Sequence, residues 1–307
     1  MSSFGPTFVV ESRDGHVHDH TAILLHGRGS TGEEFAEELF ATTLSDGQTP
    51  GLADRLPSWR WVFPSSPSTW NATFEEWMPA WFEAHSLADP TARQDLQQSG
   101  LRASAQHVVT IVEDEIRRLQ TIEAGGSDAH SRVVLGGISL GGAVALWTLL
   151  STKQPERPLG GFAVMSTWLP FASEITKYLG DEATAEVKIS QTDDGKPVEP
   201  LAFVQIAMAP LRKHIKECPA ALALDQNTST VLTAPVFLGH GRDDAYVDME
   251  LGQQARKLLA NVGFTSVEWH DYEGAEQEGH WLKEPEEMDD LARFLKAVHN
   301  RIRNGAL

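Results

Sequence analysis

The chain has 307 residues, 43 acidic and 25 basic, so its formal net charge is −18. A surface this negative repels phosphate groups, which argues against a nucleic-acid partner and against electrostatic docking on anionic membranes. Cys218 is the single cysteine, which excludes an intrachain disulfide and a cysteine-based metal cluster. The sequence shows neither an apolar run near the ~20 residues of a membrane span nor a secretory signal. We expect a cytoplasmic protein without stable membrane insertion, and composition leaves its oligomeric state open.

Short apolar runs that end at glycine or proline alternate with segments of helical spacing along most of the chain. Such runs predict buried strands, and apolar positions that recur every three to four residues predict amphipathic helices. The predicted strands lie at 21–27, 59–67, 132–136, 161–166, 235–241 and 266–272, and the predicted helices at 30–44, 101–119, 140–151, 249–261 and 285–303. The Trp-rich segment 69–100 has no clear period.

Residues 171–232 interrupt this alternation. They contain a helical piece near "ASEITKYLG", the polar turn "QTDDGKPVEP" and a mixed stretch that includes Cys218, which we interpret as a packing residue. We interpret the region as an insertion, a lid or a pocket element, within a single domain of residues 1–307. Short strands between amphipathic helices predict an α/β fold whose mostly parallel sheet is covered by helices on both faces.

The stretch "RVVLGGISLGGAVAL" (132–146) places one serine between glycines where a predicted strand becomes a predicted helix. A nucleophilic serine projects from a sharp, strained turn, and glycines on both sides avoid clashes there. Residues 137–141 fit this G-x-S-x-G pattern, whereas the patterns of phosphate-binding loops are not present. Ser139 is therefore the predicted nucleophile; the alternative is that the glycines only allow close helix–strand packing.

A nucleophilic serine needs a base, and the base needs a third group that orients it. On this architecture the order along the chain is serine, then an acid, then histidine. The segment "LGHGRDDAYVD" (238–248) follows a predicted strand and supplies Asp243, Asp244 and Asp248. The segment "YEGAEQEGHWLKEPEE" (272–287) follows the next strand and contains His280, which is the predicted base.

An oxyanion hole on this architecture takes one N–H from the residue after the serine and one from the loop after an early strand. These donors are predicted to be the N–H groups of Leu140 and of Arg28 in "LLHGRGSTG" (24–32). His26 lies in the same loop, and we interpret it as structural because it precedes the serine in the chain.

Six blocks follow one another in the chain: "LLHGRGSTG" (24–32), "MPAWFE" (78–83), "LGGISLGGAVAL" (135–146), "STWLP" (166–170), "HGRDDAYV" (240–247) and "YEGAEQEGHW" (272–281). In this order they resemble the acyl-protein thioesterases and the related small carboxylesterases and lysophospholipases. The resemblance spans most of the chain. It implies a cytosolic α/β-hydrolase fold with a serine nucleophile and no cofactor.

The resemblance also implies residue roles. Ser139 matches the family's nucleophile and His280 its base. The family reads HG, two residues and then the catalytic aspartate, which is Asp244 when counted from "HG" at 240–241. Asp243 then remains as a turn-forming acid.

Other positions follow from the same blocks. The backbone donors correspond to Arg28 and Leu140. "MPAWFE" and "STWLP" match blocks near the family's active site, so Trp81 and Trp168 are candidates for the pocket wall, with plain core packing as the alternative.

The chain departs from the family's pattern in four places. Leu140 stands where the thioesterases usually carry glutamine, and Arg28 stands where an apolar residue is common. The loop of His280 has three extra acidic residues, Glu273, Glu276 and Glu278. The stretch before the strand that carries Asp244 is longer than in compact members. These departures concern the substrate more than the chemistry.

The predicted function is hydrolysis of a carboxylic ester or thioester with an apolar acyl group, through an acyl-enzyme. A protein S-depalmitoylating thioesterase and a lysophospholipase are alternatives within this class. A non-catalytic binding protein on the same fold is a further alternative. Metal-dependent hydrolysis is another, because His16, His18 and His20 would share one side of a strand, although surface histidines in a turn explain them as well.

Overall fold

A seven-stranded sheet is the centre of the structure, a computed structural model that describes residues 3–47, 51–122, 128–151, 158–180, 200–209 and 230–303. The strands are β1 (Phe8–Val10), β2 (His20–Leu25), β3 (Trp59–Phe63), β4 (Ser68–Asn71), β5 (Glu76–Pro79), β6 (Val133–Ile138), β7 (Gly161–Met165), β8 (Val236–Gly241) and β9 (Val267–Tyr272). The order in the sheet is β1-β3-β2-β6-β7-β8-β9, while β4 and β5 form a separate hairpin. All neighbours in the large sheet are parallel except β1, which is antiparallel to β3.

Helices cover both faces of the sheet. They are α1 (Gly32–Ala41), α2 (Leu52–Arg55), α3 (Gln94–Ile122), α4 (Leu140–Ser151), α5 (Ala172–Gly180), α6 (Pro200–Ala207), α7 (Met249–Val262) and α8 (Glu286–Arg303). The apolar sides of α3, α4 and α7 share one buried cluster with one face of the sheet, and those of α1 and α8 share a second cluster with the other face. The predicted α/β fold, a mostly parallel sheet between two layers of helices, is confirmed.

The strand register brings the carboxyl ends of the central strands to one edge. Leu25 lies beside Gly137, and Met165 lies between Ile138 and Gly239. These strands are buried along their whole length because helices lie on both sides, which explains their continuous apolar runs. The loops that follow β2, β6 and β8 therefore meet at the same edge of the sheet.

Some elements differ from the sequence prediction, and others follow it closely. Within the predicted run 59–67 the strand ends at Phe63, because Pro64 stops it as the sequence predicts. The unassigned segment 69–100 contains most of the hairpin and the start of α3. Gly100 lowers the helix propensity of the first turns of α3, which hid the start of this helix in the sequence. A Cβ at this position would lie 2.8 Å from Phe82 Cα. The glycine lets the helix pack directly on that backbone.

The predicted insertion at 171–232 is described in part. Its helical piece is α5 with the predicted bounds, and α6 packs beside α5. Phe203 of α6 stacks on Trp147 of α4 with ring centroids 5.1 Å apart. Cys218 and nearly all of the polar turn lie outside the described residues. None of the described helices is long and apolar enough to cross a membrane.

Candidate active site

Ser139 occupies the single residue between β6 and α4. Its φ angle is 53°, in the left-handed region that is uncommon for a residue with a side chain. Its N–H donates to the carbonyl of Met165 (3.0 Å), and its own carbonyl accepts from the N–H of Ala143 (3.0 Å). Thr167 Oγ1 donates to the same carbonyl at 2.6 Å. These bonds hold the strained turn in place and leave the hydroxyl at the edge of the sheet.

The glycines around Ser139 are required by close backbone contacts. A Cβ on Gly137 would lie 2.5 Å from the carbonyl oxygen of Leu25, and one on Gly141 would lie 2.6 Å from that of His26. The turn thus presses against the end of β2 and the loop behind it. The prediction of a strained strand-to-helix elbow agrees with this geometry.

Asp244 lies in the loop after β8, and its carboxylate is fully buried. His280 Nδ1 donates to Asp244 Oδ2 at 2.8 Å, which makes Nε2 of the neutral ring the acceptor on the other side. Asp244 Oδ1 accepts from the N–H groups of Tyr246 and Val247, both at 2.9 Å. Burial would raise the pKa of Asp244, but the hydrogen bonds from His240 and His280 outweigh it and hold that pKa well below its usual range. The acid is therefore a carboxylate at neutral pH.

The loop that carries His280 is tightly constrained. Gln277, Glu278 and Gly279 have φ angles of 50°, 55° and 83°. The carbonyl of Glu278 accepts from the N–H of Ala245 (3.0 Å), which joins this loop to the loop of Asp244. Asp243 accepts from the N–H of Gly274 (3.0 Å), so its carboxylate secures the start of the same loop rather than facing His280.

Ser139 and His280 line one open cavity of about 550 Å³. Apolar walls come from Phe35, Leu87 and Trp281. Arg28 and the carboxylates of Glu34, Glu38 and Glu278 add charge at the same cavity. The structure thus brings the predicted nucleophile and base to one cleft and places the predicted acid behind the base.

The predicted oxyanion donors lie beside the serine. A Cβ on Gly27 would lie 3.6 Å from Ser139 Cβ, so the loop after β2 passes beside the serine with room for little more than a methyl group between them. Leu140 is the first residue of α4, and its N–H has no carbonyl one turn earlier to bind. Among the described residues, neither the N–H of Leu140 nor that of Arg28 donates to a backbone carbonyl.

A comparison with protein families matches a family profile described as Phospholipase/Carboxylesterase to residues 6–221 and 217–299. The chain belongs to this family. The predicted resemblance is confirmed, and membership makes the chain a serine hydrolase of ester or thioester bonds.

Individual members of the phospholipase/carboxylesterase family match over nearly the whole chain. Acyl-protein thioesterase 1 of Mycosarcoma maydis is 29% identical over 306 residues, which cover 95% of this chain and 96% of that protein. Acyl-protein thioesterase 1 of Yarrowia lipolytica is 25% identical, with coverage of 91% and 92%. The crystal structure of Zea mays acyl-protein thioesterase 2 is similar with a TM-score of 0.59 and 23% identity, covering 96% of this chain and 99% of that one. The crystal structure of Arabidopsis thaliana SOBER1 is similar with a TM-score of 0.59 and 22% identity, covering 91% of this chain and 99% of that one. These two structures support the fold.

His26 is a buried structural residue, as interpreted from the sequence. Its Nδ1 donates to the carbonyl of Gly27 (2.6 Å), and its Nε2 accepts from the N–H of Ser66 (3.0 Å). Burial lowers the pKa of His26 to about 4, so the ring is neutral. It fixes the turn of the predicted oxyanion loop.

Trp81 and Trp168, the candidates for the pocket wall, do not line the cleft that contains Ser139. Trp81 is buried and donates Nε1–H to the carbonyl of His26 (2.9 Å), and it borders a different cavity between the β4–β5 hairpin and α3. Trp168 is buried in the core and meets Phe82 edge to face at 6.3 Å. Trp81 supports the predicted oxyanion loop from behind, and Trp168 is a core residue. The blocks "MPAWFE" and "STWLP" indicated that these residues lie near the site, but they did not indicate which cavity each side chain faces.

The N-terminal histidines do not converge. His18 Nε2 lies 2.8 Å from Thr21 Oγ1, whereas His20 begins β2 at the opposite end of the sheet from Ser139. His20 instead lies with Asp19 and His299, whose ligand-type atoms are within 4.8 Å of one another. The set of three alternating histidines that motivated the metal alternative is therefore not assembled in the described structure.

Two contributors to the site were missed by sequence reasoning. His240 served there only to count to Asp244, but its Nε2 lies 3.4 Å from Asp244 Oδ2 and 2.8 Å from the carbonyl of Val247. Thr167 holds the carbonyl of Ser139. Both belong to blocks of the family resemblance, which is the signal that could have marked them.

Proposed function

We propose that Ser139, His280 and Asp244 form a catalytic triad that hydrolyses carboxylic esters or thioesters through an acyl-enzyme. The observation that carries the proposal is the 2.8 Å bond from His280 Nδ1 to the buried Asp244 carboxylate, with Ser139 and His280 in one cavity. A neutral histidine held in this tautomer presents Nε2 as a base, which is what a serine hydroxyl needs for activation.

The chemistry follows from these roles. His280 Nε2 takes the Ser139 proton as Oγ attacks the substrate carbonyl carbon, and Asp244 stabilises the imidazolium that forms. The tetrahedral oxyanion accepts hydrogen bonds from the N–H groups of Arg28 and Leu140. His280 then protonates the leaving alcohol or thiol, and the carbonyl reforms as the acyl-enzyme. Water gives its proton to His280, attacks the acyl carbon and releases the acid, while the same proton returns to Ser139.

The substrate we propose is a carboxylic ester with an apolar acyl group, because Phe35, Leu87 and Trp281 give apolar walls to the cavity that contains Ser139. A protein S-acyl thioester is the second candidate, and it is supported by relatives that are acyl-protein thioesterases and match over most of the chain. A lysophospholipid is a third possibility within the same chemistry. We further propose a cytoplasmic location, no nucleic-acid partner, and a role of residues 171–232 as a lid or pocket element.

The test compares oxygen esters and thioesters with acyl chains from acetyl to palmitoyl, for the wild type and Ser139→Ala. We expect the wild type to cleave at least one series and Ser139→Ala to be inactive on all of them. An optimum at short oxygen esters supports a general carboxylesterase, and an optimum at long thioesters supports the acyl-protein candidate. Equal activity of the two proteins, or none in either, would count against the proposed triad.

A further inference from the structure

Glu287 is a carboxylic acid that the proposed mechanism does not use and that is 1% exposed. It lies in the first turn of α8. Its Oε2 accepts from the N–H of Lys283 (2.9 Å), and its own N–H donates to the carbonyl of Lys283 (2.9 Å). Lys283 is three residues after His280, so Glu287 holds the end of the loop that carries the base.

The other oxygen of Glu287 packs against β8, the strand that leads into the loop of Asp244. A Cβ on Gly239 of β8 would overlap Glu287 Oε1, so the missing side chain makes room for the carboxyl. Gly239 directly precedes His240, which contacts Asp244, and its carbonyl accepts from the N–H of Ser166 (2.9 Å). Glu287 therefore lies between β8, which leads into the loop of Asp244, and the end of the loop that carries His280.

Lys283 also joins the two ends of the loop that carries His280. Its Nζ donates to the carbonyl of Gly274 (3.0 Å), and the N–H of Gly274 donates to Asp243. The main chain of Lys283 is held by Glu287 while its side chain joins the two ends of the loop. A change at Glu287 would thus reach His280 through a short, continuous set of contacts.

A carboxylate near a helix N-terminus is ordinarily solvated and charged, and acts as a simple cap. Glu287 differs because it is buried and because, among the described residues, Oε1 has no hydrogen-bond partner. Burying an ionised carboxylate without a cation is costly, so the neutral acid is the form that fits this position.

We propose that Glu287, in its protonated form, is a positioning residue that holds the His280 loop against β8, and that its deprotonation loosens the His280–Asp244 pair. The inference rests on the proposed function for the role of His280. It predicts that activity is lost on the alkaline side through a group that never contacts substrate.

The charged and titratable groups around Glu287 agree with this direction. Burial raises the pKa of Glu287 to about 8, the Lys283 N–H lowers it, and the Asp290 carboxylate raises it further. Asp290, on the same helix, accepts from Tyr272 OH of β9 (3.0 Å) and lies near His270 and Arg293. From the loop, Lys283 contacts Glu287 with its backbone N–H while its Nζ donates to the carbonyl of Gly274, and on β8 His240 follows Gly239. Ionisation therefore adds a negative charge close to an existing one.

The test measures kcat and KM for p-nitrophenyl butyrate as a function of pH in the wild type, Glu287→Gln and Glu287→Leu. We expect wild-type kcat to fall as pH rises through about 8. Glu287→Gln keeps an acceptor for the Lys283 N–H but cannot ionise, so its activity should persist at alkaline pH. Glu287→Leu removes the acceptor, and we expect a loss of about 100-fold in kcat at every pH with KM little changed, the effect of a misplaced catalytic group.

Glu286→Gln is the matched control, because Glu286 is the exposed neighbour at the start of the same helix. It should reproduce the wild-type profile. The proposal is overturned if Glu287→Gln keeps the wild-type alkaline limb, or if Glu287→Leu folds and retains wild-type kcat.

A second measurement separates this inference from the proposed function. The hydrogen-bonded Nδ1 proton of His280 gives a downfield proton NMR resonance without any substrate. It should disappear above pH about 8 in the wild type and persist in Glu287→Gln. A wild type without hydrolytic activity would contradict the proposed function, and this resonance would still decide the role of Glu287. If Glu287→Leu does not fold, Gly239→Ala displaces the same carboxyl from the strand side, and an unchanged resonance and kcat in that variant would refute the proposal.

Discussion

Asp243 and Asp244 are neighbours in the chain, but their carboxylates do different things. Asp244 is buried and accepts hydrogen bonds from two backbone N–H groups and from His280 Nδ1–H. Asp243 accepts only from the N–H of Gly274 among the described hydrogen bonds of its side chain. The geometry therefore favours Asp244 as the group that orients the base.

Asp244→Asn is expected to reduce kcat by about 10⁴-fold, because an amide can donate to Nδ1 and stabilise the wrong tautomer of His280. Asp243→Asn is the matched control, and we expect it to change kcat far less, since an amide oxygen still accepts from Gly274. Steady-state kinetics on one ester in both variants checks this. A larger loss in Asp243→Asn than in Asp244→Asn would reverse the assignment of the acid.

Single residues could be predicted where a role depends on chain order. Ser139 and His280 follow the strand ends in the order that the architecture demands, but chain order left Asp243, Asp244 and Asp248 open, and only the family resemblance singled out Asp244. The structure brings Ser139, Asp244 and His280 to one edge of the sheet. His240 and Glu287 were not predicted, because their roles come from contacts with residues distant in sequence. The tryptophans show the opposite limit: a block near the site does not reveal which cavity a buried side chain borders.

Elements with a clear hydrophobic period were predicted nearly at their observed bounds, and the exceptions have local causes. β1 has three half-buried residues, too few to show a pattern. The hairpin β4–β5 is stabilised by cross-strand contacts such as Trp70 with Trp77, which no local period encodes. The first turns of α3 carry polar residues and Gly100, which lower local helix propensity although packing on Phe82 requires the glycine.

The packing of α6 on α4 makes a prediction for the described part of the insertion. Phe203→Ala should destabilise the protein by about 3–5 kcal/mol, because its ring is 1% exposed and stacks on Trp147. Ile206→Ala on the same helix is the control, since Ile206 is 44% exposed. Urea unfolding of both variants tests the claim. Equal stability of the two variants would mean that α6 does not pack on α4 in solution.

At the scale of the whole molecule, the parallel sheet is what assembles the site. Residues 139, 244 and 280 lie far apart in sequence, but β6, β8 and β9 point the same way, so the loops after them open at one edge. The loop after β2 reaches the same edge and supplies the proposed oxyanion donor at Arg28. Family membership, the fold and the cleft all agree with hydrolysis of esters or thioesters by a serine nucleophile. Which acyl group is accepted depends on the cavity wall, whose residues were not predicted from the sequence.

The most direct test of the proposed triad is covalent labelling with an alkyl fluorophosphonate, which reacts with an activated serine. Digestion and mass spectrometry locate the adduct in the wild type, in Ser139→Ala and in His280→Ala. We predict a single adduct on Ser139 in the wild type, none in Ser139→Ala, and labelling slowed by about 100-fold or more in His280→Ala. An adduct on another residue, or equal labelling of the wild type and His280→Ala, would contradict the account of Ser139 as a nucleophile activated by His280.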